Sequence, residues 1–141
     1  NSGMAVSSDL GDSTDVHPRE KKQIGERLAR WALNKTYGFS DITPSGPLFH
    51  DFFVEDETAY ISFEFAEGLM SSDGKPLRSF EVAEFPGLFF PATAVIEGNV
   101  VKVESTRVRT PKYVRYGWSS YSDGNLINSE GLPASTFSTQ F

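Results

Sequence analysis

The spacing of apolar residues changes once along the chain. Between Pro18 and Tyr37, residues Ile24, Leu28, Trp31 and Ala32 fall at i, i+4, i+7 and i+8, one face of a helix. Lys21, Lys22, Glu26, Arg27 and Arg30 occupy the other side, with Glu26 and Arg30 spaced to pair. Gly38 is a suitable C-terminal stop. Residues 39–47 carry two prolines and a glycine and predict a linker, with the domain boundary placed there.

After Pro47 the period becomes two. Ala59, Ile61, Phe63 and Phe65 alternate with Tyr60, Ser62 and Glu64, the pattern of a half-buried strand. Phe80 and Val82 repeat it, as do Val114, Tyr116 and Trp118, which places Tyr116 and Trp118 in a core. Segments 93–97 and 100–105 flank Gly98-Asn99, a two-residue hairpin signal. Leu48–Val54 and Leu88–Phe90 add strands, giving about seven, with turns roughly every ten residues: a β-sandwich. Residues 4–8 predict a short strand and residues 9–17 a polar loop. Residues 119–141 look irregular, with Leu126, Leu132 and Phe137 as anchors.

Composition narrows the function classes. The 141 residues include 12 Phe, enough apolar mass for a core. A net charge of −6 without a basic stripe argues against nucleic acid as a partner. No apolar run is long enough to span a membrane. The lack of cysteine removes disulfides, thiolate metal sites and a Cys nucleophile. No signal peptide is visible at Asn1-Ser2-Gly3-Met4, and Met4-Ala5-Val6 reads as the end of a strand whose earlier context is missing. The chain is therefore expected to be a fragment of something larger.

The chemistry-bearing stretch is Asp9-Leu-Gly-Asp-Ser-Thr-Asp-Val-His17-Pro18. Pro18 suits the first position of a helix. A histidine beside carboxylates at a helix entrance is how serine hydrolases orient a general base. The same pattern also fits aspartates that cap a helix beside an ordinary loop histidine. His50, the other histidine, lies on an apparent strand far from His17, so no metal site is expected.

The run Asp9-Leu-Gly-Asp12, then Asp15-Val-His-Pro-Arg-Glu-Lys-Lys-Gln23, resembles the end of the catalytic domain of sialate O-acetylesterases, which are SGNH-type hydrolases. Ser45-Gly-Pro-Leu48, Gly74-Lys-Pro-Leu77 with Phe80-Glu81, Val114-Arg-Tyr-Gly-Trp118, and Asn125-Leu126 with Glu130-Gly-Leu-Pro-Ala-Ser135 match in the same order. The resemblance covers nearly the whole chain. It implies a mostly β piece: the last loop and C-terminal helix of an α/β SGNH catalytic domain (1–38), a linker (39–47) and a β-sandwich domain (48–141).

The implied activity is removal of O-acetyl groups from sugars, foremost 9-O-acetyl sialic acid, with acetylated xylan as the alternative substrate. By the same resemblance His17 is the catalytic base. Its carboxylate partner is Asp15 or Asp12, with Asp9 also in play. The spacing common in SGNH enzymes, three residues before His, falls here on Thr14. No cofactor and no metal are implied. The expected partners are an O-acetylated sugar and the N-terminal part of the same enzyme, which carries the nucleophilic serine, so this chain alone is expected to be inactive. Gly11-Asp12-Ser13 imitates the nucleophile block but lacks its preceding strand and oxyanion-hole blocks. The implied location is secreted or periplasmic in a bacterium, lysosomal or secretory in a eukaryote.

A second reading makes the sandwich a non-catalytic carbohydrate-binding or packing module. A loosely tethered module would bind glycan by itself; a packing module would not. Tyr121 and the 119–125 loop are the better surface candidates for sugar stacking. Arg107, Arg109, Lys112 and Arg115 could meet a sialic acid carboxylate, or form a solvated strand face.

Overall fold

The computed structural model describes residues 2–15, 17 and 19–140. Its helix α1 spans Lys21–Trp31 and continues as a π-helical turn over Ala32–Thr36. The predicted start at Pro18 lies outside the described residues, whereas Arg19 and Glu20 precede the helix. Gly38 ends it with a φ of 76°, as its lack of a Cβ allows.

Ten strands follow among the described residues: β1 (Leu48–Glu55), β2 (Thr58–Glu64), β3 (Met70–Ser71), β4 (Phe80–Ala83), β5 (Phe90–Pro91), β6 (Thr93–Glu97), β7 (Val100–Glu104), β8 (Tyr113–Tyr116), β9 (Leu126–Ile127) and β10 (Phe137–Ser138). They form antiparallel sheets in the orders β1-β2-β7-β6, β10-β8-β4-β5 and β3-β9. Pro91 is tolerated because β5 is an edge strand, where its missing N–H breaks no ladder. Gly98 takes a φ of 61° at the first position of the β6–β7 turn, as a II′ hairpin requires.

The two four-stranded sheets share one core. The first contributes Ala59, Ile61, Phe63, Ala94, Val101 and Val103; the second contributes Phe80, Val82, Val114, Tyr116 and Phe137. Phe137 stacks on Phe49 at 4.7 Å and meets Phe63 edge-on at 5.9 Å, joining the sheets across the interior. Burying each large apolar side chain here contributes about 1.5–3 kcal/mol. The result is the sandwich-like, mostly β arrangement that the alternation predicts.

Several expectations are corrected. Residues 4–8 form no strand: Ser8–Leu10 is a single 3-10 turn. The carbonyls that a ladder would have used are taken by α1, with Trp31 Nε1 donating to Met4 O at 2.8 Å and Arg27 Nη1 donating to Val6 O at 2.7 Å. Trp118 is not in the core but 55% exposed, because Gly117, at a φ of 61°, breaks the alternation after Tyr116. The 119–140 region is not merely irregular, since β9 and β10 complete two sheets. Its expected anchors Leu126, Leu132 and Phe137 are all buried.

The segment before β1 has no regular structure, yet Pro44–Pro47 are buried. A Cβ on Gly46 would lie 2.1 Å from Pro133 O, so only glycine permits this approach. Asn128 secures it. The side chain donates to Ser45 O at 3.1 Å and Phe65 O at 3.2 Å, and accepts from Leu132 N at 3.1 Å. The stretch is thus pressed against the sandwich rather than hanging free.

Candidate active site

Helix α1 carries the polar loop and rests on the sandwich through few side chains. Trp31 meets Phe65 edge-on at 6.0 Å, and Arg30 reaches Thr43 O at 2.9 Å and Glu130 at 3.1 Å. Asn34 Nδ2, within a glycosylation triplet, donates to Ile42 O at 2.8 Å. The expected Glu26–Arg30 pair is not formed: Glu26 faces Lys22 at 3.6 Å, and Arg30 is drawn to the sandwich instead. Leu28, assigned to the apolar face, is 49% exposed.

Arg27 corrects a second assignment. It was placed on the solvent side of the helix, but only 12% of its side chain is exposed. Its guanidinium grips both Asp9 carboxylate oxygens at 2.6 Å in a two-pronged ion pair. Together with the bond to Val6 O, this fastens the start of the loop to the helix. Asp9 is therefore committed to Arg27. Such long-range pairing has no local signature in the sequence.

The remaining carboxylates divide their work. Asp12 Oδ1 accepts from Thr14 N at 2.8 Å and Thr14 Oγ1 at 2.7 Å. These bonds favour its ionised form and hold the carboxyl below its usual range. Asp15 Oδ1 lies 3.1 Å from His17 Nδ1 and accepts from His17 N at 2.9 Å, while its other oxygen is 3.8 Å from Arg19. The structure thus brings Asp15 to His17 and turns Asp12 towards Thr14.

An Nδ1–H bonded to Asp15 leaves Nε2 as the free acceptor of the imidazole. The His17 side chain is 86% exposed, so Nε2 is open to a reacting group. Ser13 is also exposed, and no hydrogen bond among the described residues joins it to His17. His50 sits on the bulge between β1 residues Phe49 and Asp51, 3.9 Å from Glu64. Among the described residues no three His, Asp or Glu side chains converge as a metal site would need, and no helix is long and apolar enough to cross a membrane.

The predicted basic run is largely spoken for. Arg115 binds both oxygens of Glu81 at 2.7 and 3.0 Å and stacks over Phe89, and Arg107 lies over Phe90. A polar network around Asn125 was not foreseen. Buried Asn125 donates to Asp73 at 2.9 Å and Pro76 O at 3.1 Å, and accepts from Arg78 N at 3.0 Å. With the Arg78 pair at 2.7 Å, it keeps the Asp73 carboxyl far below the usual range.

No family model matches the chain, and no curated protein matches it either. Among solved structures, the chain is similar to the crystal structure of a carbohydrate acetylesterase from Xanthomonas citri, with 38% identity and a TM-score of 0.88. The likeness covers 94% of this chain and 31% of that one, so the chain spans about a third of its neighbour. Over nearly all of its length, then, this chain is similar in structure to about a third of that acetylesterase.

Proposed function

We propose that the chain is the C-terminal portion of a carbohydrate O-acetylesterase of the SGNH type and supplies its general base. The likeness to an acetylesterase three times as long carries this reading, since it explains a base without a serine beside it. In the mechanism, Nε2 of His17 takes the Oγ proton of a serine on the upstream part of the enzyme. The serine oxygen attacks the acetyl carbonyl, and the protonated imidazole passes that proton to the departing sugar oxygen. Water, activated by the same nitrogen, then releases acetate from the acetyl-serine. Asp15 holds the ring through Nδ1 and stabilises its charged form; Asp12 has no part in the step. The resemblance of the His17 and Val114–Trp118 motifs supports 9-O-acetyl sialic acid as substrate, with acetylated xylan second.

The test is acetyl release by the full-length enzyme. His17→Ala should lower kcat by about 10³-fold or more, Asp15→Asn by at least about 10²-fold, and Asp12→Asn by less than about threefold. Retained activity in His17→Ala overturns the reading. Parallel assays on a 9-O-acetylated sialoside and on acetylated xylan decide the substrate. The burial of Pro44–Pro47 favours one further role, that the sandwich braces the catalytic part rather than swinging on a tether.

A further inference from the structure

Trp118 stands 55% exposed on the rim of a cleft beside β4 and β5. Its indole N–H has no acceptor among the described residues, whereas that of Trp31 is bonded to Met4 O. The cleft is lined by Arg78, Ser79, Glu81 and Asp123, with Pro91 and Ala92 as an apolar strip. An open indole face beside convergent donors and acceptors is a site for a ligand with both apolar and polar faces.

The charged side chains of the cleft are already paired. Arg78 contacts Asp73 at 2.7 Å and Asp123 at 3.1 Å; Glu81 is held by Arg115 at 2.7 Å. Ser79, at a φ of 64°, donates from Oγ to Asp123 at 2.8 Å. Two guanidiniums against three carboxylates leave this group one negative charge in excess. A carboxylate or phosphate ligand would be repelled. A compact cation would find carboxylate oxygens already occupied and a single indole in place of a cage. A neutral pyranose fits: its C–H face stacks on the indole while its hydroxyls bond to the paired side chains without disturbing their charge balance.

We infer that the Trp118 cleft is a subsite for a neutral, unacetylated pyranose unit of the glycan, separate from the His17 loop. The choice of a glycan rests on the carbohydrate reading above; the neutrality rests on the ion pairs. In a sialoside this unit is the sugar next to the sialic acid, and in xylan a neighbouring xylose.

The test is titration of the 141-residue chain with unacetylated xylohexaose and with lactose, following the two indole N–H signals by NMR. At least one sugar should bind at millimolar concentration, shifting the Trp118 signal and leaving that of Trp31 in place. In the variants, which lack that indole, binding is read instead from line broadening of the sugar's own proton signals: Trp118→Ala should weaken it at least about tenfold, and Trp118→Phe should restore most of it. Since Trp118 is exposed, an unchanged thermal melt checks that Trp118→Ala is folded. The inference is overturned if neither sugar binds, if binding survives in Trp118→Ala, or if free sialic acid or choline moves the same signal more strongly. No ester is hydrolysed in this experiment. Failure here beside an active enzyme removes only the subsite, and sugar binding beside an inactive enzyme removes only the esterase.

Discussion

Replacing Asn128 with alanine isolates the clamp that holds the segment before β1. The side chain is 1% exposed and satisfies three main-chain groups: Ser45 O, Phe65 O and Leu132 N. Alanine leaves all three without that partner in a place water does not easily reach. Each orphaned buried group costs about 1–3 kcal/mol, and partial relaxation makes the costs less than additive. The expected loss is about 3 kcal/mol, or about 10 °C in Tm for a chain of this size. Urea unfolding followed by circular dichroism should show a lower midpoint at an unchanged m-value. Asn128→Asp should be worse at pH 7, because a carboxylate would face two carbonyl oxygens, and it should recover in part as acid neutralises it. A loss below about 1 kcal/mol for Asn128→Ala would refute the clamp. Equal stability of the Ala and Asp variants at pH 7 would refute the assignment of Nδ2 as donor.

Three further perturbations test other parts of the structure. Gly46→Ala sets a Cβ 2.1 Å from a main-chain oxygen, and calorimetry should show the largest fall in Tm of any small substitution here. Asp73 has a depressed folded-state pKa, so its contribution is present above about pH 4 and is lost as pH falls further. The stability gap between wild type and Asp73→Asn should therefore be widest above pH 5 and shrink in acid; a gap independent of pH refutes this. Burial raises the Tyr116 phenol to about 12, so the unfolded chain ionises first and stability should fall as pH rises from about 10 to about 12. Tyr116→Phe should abolish that alkaline slope while costing about 1–3 kcal/mol at neutral pH, since it strips the acceptor from Leu126 N.

The strands that could be read from the sequence were those long enough to show a period. β2, β7 and β8 each bury alternate residues, β4 does so up to Val82, and Gly98-Asn99 marks the β6–β7 turn. β3, β9 and β10 have two residues each, too few to alternate; β10 adds to the edge of β8, whereas β3 and β9 pair only with each other. Trp118 was misplaced because one left-handed glycine ends the alternation, and nothing local announces that conformation. In the candidate site, the sequence favoured Asp15 only slightly over Asp12 and kept Asp9 in play; the structure separates the first two because Thr14 hydroxyl and amide both turn to Asp12. Arg27 and Asn128 act across 18 and 83 residues, respectively, beyond the reach of any window of sequence.

The position of Phe137 has a consequence for synthesis. It is wedged against Phe49 and Phe63 from the opposite sheet, yet β10 is translated after all nine of the other strands described. Until β10 has emerged, the seam between the sheets stays unfilled and its aromatic lining faces water or a chaperone. A premature stop anywhere before the codon for Phe137 would yield no shortened, serviceable product. It would leave an open apolar seam for proteases to find, so the sandwich is sealed only once β10 has been made.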